Sequence, residues 1–548
     1  MGRTRTSVIF GAVLATVVVL AMFSAAPTNA APRVKRAQGE RLGSVNFPVS
    51  CTADAQKTFN TGLALLHNFQ YEEAEQTFSQ VAQQDPTCAM AYWGKAMSLY
   101  HQLWDWPSDD TLKEGHEDTS QAMKLRAKTE QERMYVVAAG VFFQANTNLS
   151  KASRIKAYSD WMGRIFTKYP DDVNAGAFYA LSLITLQGKK TDQDANREQA
   201  IGILDKLMAV APNNPGVLHY LIHSADTPEL APQGLEAARR YAKIAPDSSH
   251  ALHMPSHIFV RLGLWQEAID SNIAASAAAA QATQAGKADA TYQFHAMDFL
   301  NYVYLQSGNA AKAQEVVTEL PKVPGASADE IAKNMGLLTS RNYLELHQWK
   351  EATADPLQDP DSKTDWKATV YWTRTIGAAH IGDLAQAKED LQKFDDITSP
   401  GRPWPEIDLS DLRTANLQRP LSLKVPNMEA HAWFEFASGK QAFALALMRV
   451  AAKQEEVEGV DSLTMSAREM LGDMLLEMKR PTEALVEYKA ALVESPNRFD
   501  SLYGAAQAAQ LAGNTTEARG YLAKLVKVCS PDADRPELQE AREEVAKQ

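Results

Sequence analysis

The sequence predicts an all-α protein built as a solenoid of stacked helical hairpins, and three observations carry that expectation. Apolar residues recur at helical spacing through almost every stretch from residue 52 onward, and alternating strand patterns are scarce. Motifs of small and bulky residues return about 34 residues apart, the period of a two-helix repeat. The composition is globular, with 45% hydrophobic and 22% charged residues, so burial of apolar surface offsets the entropy of ordering the chain.

The first element is not part of that solenoid. Arg3 and Arg5 precede an uncharged apolar run over residues 8–23 and the small residues Ser24-Ala-Ala-Pro-Thr-Asn-Ala30. This is the layout of a secretory signal peptide, and cleavage is expected after Ala30. The run is shorter than the roughly 20 residues that span a bilayer, so no membrane span is expected after cleavage and the product is expected to be periplasmic or secreted. Residues 31–50 carry Arg33, Lys35, Arg36 and Arg41 with little apolar periodicity, and read as a basic leader.

Cys51 and Cys88 come next, each at the start of a predicted helix. In a hairpin stack those starts lie side by side, which makes the pair a disulfide candidate in an oxidising compartment, with two buried thiols as the alternative. Cys529 is then the odd one out.

The repeats begin with Gly62, Ala74, Phe78 and Pro86, and a late unit repeats the pattern as Leu471-Gly472, Ala484, Tyr488, Ala491 and Pro496. These are the small and large positions of a tetratricopeptide unit. A small residue lets two helices approach, a bulky one four residues on fills the gap, and proline closes the unit. Further units around Leu204, Ala238, Gly263, Gly308, Trp349, Gly382, Gly439 and Ala518 give about nine to eleven helix pairs, expected to wind as a right-handed superhelix. Insertions fall at 104–112, 353–366 and 400–426. The Pro-rich loop 401–426 is the expected boundary between an N-terminal solenoid, residues 51–400, and C-terminal repeats, residues 427–548.

Six of the twelve histidines fall between His219 and His295, where proportion alone would place about two. They form His219-Tyr-Leu-Ile-His223, a run of His250, His253 and His257, and His295-Ala-Met-Asp298. Spacings of three, four and seven put each set on one helical face. Counted back from the packing residues Gly234, Ala268 and Ala313, equivalent positions hold Gly216, His250 and His295; His219, His253 and Asp298; and His223, His257 and Tyr302. Three neighbouring helices thus present imidazole, carboxylate or phenol groups at matching levels of the concave wall, with Asp226, Tyr292 and Tyr302 placed to hydrogen-bond them.

Imidazoles at i and i+4 with a third from the next helix suit a divalent ion such as zinc or copper. A pocket for a peptide or small anion, and histidines separately bonded to backbone carbonyls and tyrosines, fit the same pattern. A metal-dependent hydrolase is the enzymatic alternative: His219 and His223 have metalloprotease spacing, but the residues between them include no general-base Glu, a role left to Asp226, Glu229 or Asp298. His67, Trp93, His101, Trp104 and Trp106 form either an aromatic rim or core and loop anchors.

The formal net charge is −12, from 55 Lys+Arg against 67 Asp+Glu. This balance argues against a nucleic-acid groove, which needs clustered cations, and a protein or peptide partner is expected instead.

Several stretches resemble a family of exported bacterial tetratricopeptide-repeat proteins without an assigned activity: Ser50-Cys51, Asp85-Pro-Thr-Cys-Ala-Met-Ala-Tyr-Trp-Gly94, His253-Met-Pro-Ser-His-Ile-Phe259, His295-Ala-Met-Asp298, Ala467-Arg-Glu-Met-Leu-Gly-Asp-Met-Leu475 and Pro496-Asn-Arg-Phe499. The resemblance implies a helical-repeat binding or scaffold protein and carries no catalytic residue with it.

Overall fold

Phe78 shows how the repeats pack. Its ring, on the helix Tyr71–Gln84, lies against Gly62 of the preceding helix and Gly94 of the following one, and a Cβ at Gly94 would run into it. Tyr488 sits in the same way between Gly472 and Gly504. The small-and-bulky pattern is therefore a close approach of three helices around one aromatic side chain.

The computed structural model describes residues 41–145, 148–360, 366–398, 424–458, 463 and 465–547. The expected signal peptide, residues 31–40 of the leader and residues 401–423 of the Pro-rich loop lie outside this set. No strand occurs among the described residues, and consecutive helices pack as antiparallel neighbours in a tetratricopeptide-like solenoid. Twelve hairpins and a terminal helix, Pro536–Ala546, can be traced. That is one pair more than expected, because the helices Glu130–Phe142 and Lys151–Lys168 pair without the repeat signature. On either side of residues 399–423, the helix Lys367–His380 packs against Lys424–Ala437, and one apolar core runs from Leu344 to Ala518.

Two features depart from an open spiral. First, the folded body begins at residue 41 and not at 51. Residues 41–49 form an extended strap in which Leu42 and Phe47 are buried, Ser44 N donates to Asn213 O at 2.8 Å and Arg41 pairs with Asp247. Two apolar anchors in nine residues show no periodicity, so the sequence reads as leader. Beneath the strap, helix Ala53–His67 packs on Pro215–Ala225, four hairpins away.

Second, the C-terminal repeats return to the middle of the chain. The buried Arg498 guanidinium bonds Glu345 and Glu469 and reaches the Tyr302 hydroxyl at 3.3 Å. Ser530 N donates to Ser307 O at 2.9 Å, and Trp265 Nε1 donates to Asn497 O at 3.2 Å. The histidine-bearing hairpins are thus held from both ends of the chain. Cys51 and Cys88 form a disulfide with their Cα atoms 5.1 Å apart. Among the described residues, no helix is long and apolar enough to cross a membrane.

Candidate metal centre

Local signals place the histidine helices. Asn214 caps Pro215–Ala225 by accepting from Val217 N at 3.2 Å, with Pro215 at the first turn. Ser248 caps Ser249–His253 in the same way. Pro255 interrupts the next stretch at Met254, dividing it into Ser249–His253 and Pro255–Arg261. The third helix is Thr291–Gln306.

The six imidazoles converge. Ring centroids of neighbours lie 4.4 to 6.3 Å apart along a continuous array. Within it are two triads, His219, His223 and His250, and His253, His257 and His295, whose ligand nitrogens lie within 4.8 Å of one another. His219, His250 and His253 are buried, His223 and His257 half-buried, and His295 is exposed at the outer end.

Hydrogen-bond partners locate the protons. His219 Nδ1 is 2.7 Å from the His67 carbonyl oxygen, which can only accept, so Nδ1 carries the hydrogen and Nε2 a lone pair. His257 Nδ1 donates to Asp226 Oδ2 at 2.9 Å. His253 Nδ1 donates to Asn272 Oδ1 at 2.7 Å, the amide being oriented by Asn272 Nδ2 donating to Ala268 O. The His219 Nε2 lone pair stands 3.0 Å from His250 Nε2, which is able to donate to it or to join it at a cation, whereas neutral His253 and His257 face each other through unprotonated Nε2 atoms 3.1 Å apart. Two lone pairs at that distance repel unless a cation lies between them. Ligand nitrogens about 2.0–2.1 Å from a tetrahedral ion stand at about 3.3 Å from each other. Anchoring the far ring nitrogen to a carbonyl, carboxylate or amide is what orients metal-binding imidazoles.

Burial pushes His219 down to about 3, and burial together with neighbouring imidazoles holds His223, His250 and His253 well below the ordinary histidine value. These rings are neutral at neutral pH, with lone pairs available. Burial alone would raise Asp226, but the hydrogen bond from His257 and the Arg261 guanidinium hold it well below the usual carboxylate range.

The other residues singled out in the sequence lie outside the array. Both oxygens of Asp226 are engaged, by His257 and by Arg261 at 2.9 Å. Asp298, which register grouped with the imidazoles, pairs with Arg341 at 2.7 Å, because the helix Ala328–Glu345 packs behind it. Tyr302 is drawn to Arg498 by the returning C-terminal repeats. Tyr292 donates to the Phe69 carbonyl at 3.0 Å.

Phe69 was not foreseen. Its ring lies 4.3, 5.6 and 5.5 Å from His219, His223 and His250, and Trp104 packs edge-on against Phe69 and His250. Phe69 has φ of 55° at a hairpin turn whose counterparts are Gly263, Gly308, Gly382, Gly439 and Gly513, with His347 and Lys479 at two further turns. A bulky residue at a position suited to glycine was the available signal. Trp93 is a core residue among Phe47, Phe59 and Phe78, and Trp106 packs on Phe142. A cleft of about 680 Å³ lined by Asn46, Phe47, Lys168, Tyr169 and Asn213, among others, includes none of the six histidines.

No protein-family profile and no curated protein sequence matches the chain. Among solved structures it is similar to human IFIT1 bound to m7Gppp-AAAA (14% identity, 85% of this chain and 94% of that one, TM-score 0.36). It is also similar to the P58(IPK) TPR domain (13%, 85% and 100%, 0.22) and to Naa15/Naa10 bound to HypK-THB (12%, 90% and 91%, 0.24). Likeness at these levels is confined to helical-repeat architecture and carries nothing about ligand or activity.

Proposed function

We propose that this chain is an exported helical-repeat binding protein whose histidine array holds a divalent transition metal. The supporting observation is the opposed pair His253 Nε2 and His257 Nε2, 3.1 Å apart, with both Nδ1 protons committed to Asn272 and Asp226. An all-imidazole donor set suits zinc, copper or nickel and disfavours magnesium and calcium, which prefer oxygen. Export is supported by the disulfide, which belongs to oxidising compartments. The solenoid surface suits a protein or peptide partner, and the acidic balance is the reason for reading that partner as other than nucleic acid. The hydrolase alternative lacks support, since Asp226 and Asp298 are each held in ion pairs with arginine.

Elemental analysis of protein purified from its native envelope, beside a variant carrying His253→Ala and His257→Ala, tests the reading. Retention of zinc or copper by the parent and its loss from the variant is the expected result. A folded apoprotein that takes up neither Zn²⁺, Cu²⁺ nor Ni²⁺ in neutral-pH calorimetry would end it.

A further inference from the structure

Resting on that reading, we infer that the array is two metal sites and not one: a closed inner site at His219, His223 and His250, and a solvent-open outer site at His253, His257 and His295. The ligand nitrogens sort themselves this way. Each triad brings three nitrogens within 4.8 Å. The division lies in the nitrogens and not in the ring centres: the rings of His223 and His257, and of His250 and His253, are 6.2 and 6.3 Å apart at their centroids, as are those of His223 and His250 at 6.3 Å within the inner triad. Each triad contains one close pair of Nε2 atoms, at 3.0 Å inside and 3.1 Å outside, with a third imidazole beside it. In the inner triad that third ring offers a buried Nε2 with no hydrogen-bond partner among the described residues. A buried nitrogen left unbonded is costly in a packed interior, and a metal bond would satisfy it.

The two sites differ in access. The inner one is roofed by Phe69, over which Trp104 lies with 44% of its surface exposed, and Tyr292 packs against Trp104 at 5.4 Å. Tyr241 stacks on His219 from below at 5.2 Å. Among the described residues no carboxylate joins this group, so an ion there would be held by neutral rings. The outer site has the exposed residue His295 at its mouth and Phe299 at 4.7 Å from both His253 and His257, and we place its open coordination position on the His295 side. Three protein imidazoles with one open position is the donor arrangement of metals that exchange or accept a further ligand.

The test uses the full mature chain. Apoprotein is loaded with Zn²⁺, or with Co²⁺ for its visible spectrum, and bound metal is counted by elemental analysis after desalting. The parent is expected to hold two ions per chain. His295→Ala and His223→Ala are each expected to hold one, and the double variant none. Circular dichroism checks folding, and His250→Gln replaces His223→Ala if that variant unfolds. Release to a chelator should be biphasic, with the slow phase lost in His223→Ala and slower than the other by about tenfold or more, since the Phe69 roof must open first. Phe69→Gly, which suits the backbone of that turn, should accelerate the slow phase alone. One ion per chain, abolished by either single variant, would overturn the two-site inference while leaving metal binding intact. Two ions released in a single phase that Phe69→Gly does not alter would overturn the division into closed and open sites. No bound metal would overturn this inference and the proposed function together.

Discussion

Gly216 lies directly against the His67 ring, and a Cβ on Gly216 would run into His67 Nδ1. In the next two repeats the position of Gly216 is taken by His250 and His295. The first repeat thus gives up its own imidazole at this level and receives His67 from the first hairpin, whose carbonyl anchors His219. His67 is fully bonded, Nδ1 accepting from the Tyr220 hydroxyl and Nε2 donating to Asn174 Oδ1, so it orients the array without offering a lone pair to it.

Gly216→Ala should therefore separate the first hairpin from the histidine helices. Overpacking at such a site costs about 1–3 kcal/mol, so a fall in denaturant midpoint is expected, together with weaker metal binding at the inner triad. Unchanged stability and affinity would show that the close approach is dispensable.

Acid should destabilise the metal-free protein. Burial lowers His67 to about 4 and His219 to about 3 in the folded chain, so below pH 6.5 the unfolded state binds more protons and stability falls as the pH drops toward those values. At pH 5 each ring accounts for about 2 kcal/mol of lost stability. Urea titrations at pH 7.5, 6 and 5 measure this; bound metal should raise stability at each pH without flattening the dependence, since it lowers proton binding in the folded state only.

Asp355 behaves in the opposite sense. Burial pushes its carboxyl up to about 7, its Oδ1 has no hydrogen-bond partner, and Ser340 donates to Oδ2 at 2.8 Å. The folded chain holds this proton where the unfolded chain has lost it, so the group's contribution declines as pH rises from about 4 to 7. Asp355→Asn should stabilise the protein at pH 8 by about 1–3 kcal/mol, with the gain shrinking toward pH 4. Thermal melts at both pH values check it.

Arg498→Ala should release the C-terminal repeats, because it strands the buried carboxylates of Glu345 and Glu469 without their cation. Breaking a buried pair in this way costs about 3–5 kcal/mol. Limited proteolysis should then cut between the middle and C-terminal hairpins before the parent is cut at all.

Reduction of the Cys51–Cys88 bridge, which closes a separation of 37 residues, should lower stability by about 2–4 kcal/mol. The Cys51→Ser, Cys88→Ser variant should melt lower than the parent and show no further fall with reductant.

Much of the candidate site was legible in the chain. The spacing of His219 with His223, and of His250, His253 and His257, follows from helical periodicity, and the register against Gly234, Ala268 and Ala313 places the three helices at matching levels. Register could not say where Asp298 or Tyr302 would turn, since their partners Arg341 and Arg498 come from helices about 40 and nearly 200 residues further on. Nor could it say what covers the array. Phe69 is unremarkable by composition, and its place shows only when the hairpin turns are aligned: most equivalent positions hold glycine, and His347 and Lys479 hold two others.

The sequence by itself determined the helices, the small-and-bulky packing around Phe78 and Tyr488, and the faces on which the imidazoles stand, because these depend on residues within one or two hairpins. Tertiary structure alone decided that His67 and Phe69 of the first hairpin close upon those imidazoles, that the strap at Leu42 and Phe47 joins the same core, and that the returning Arg498 reaches Tyr302 of the third histidine helix. The physical reason is that small rotations between successive hairpins accumulate along the solenoid, and only their sum brings distant repeats into contact.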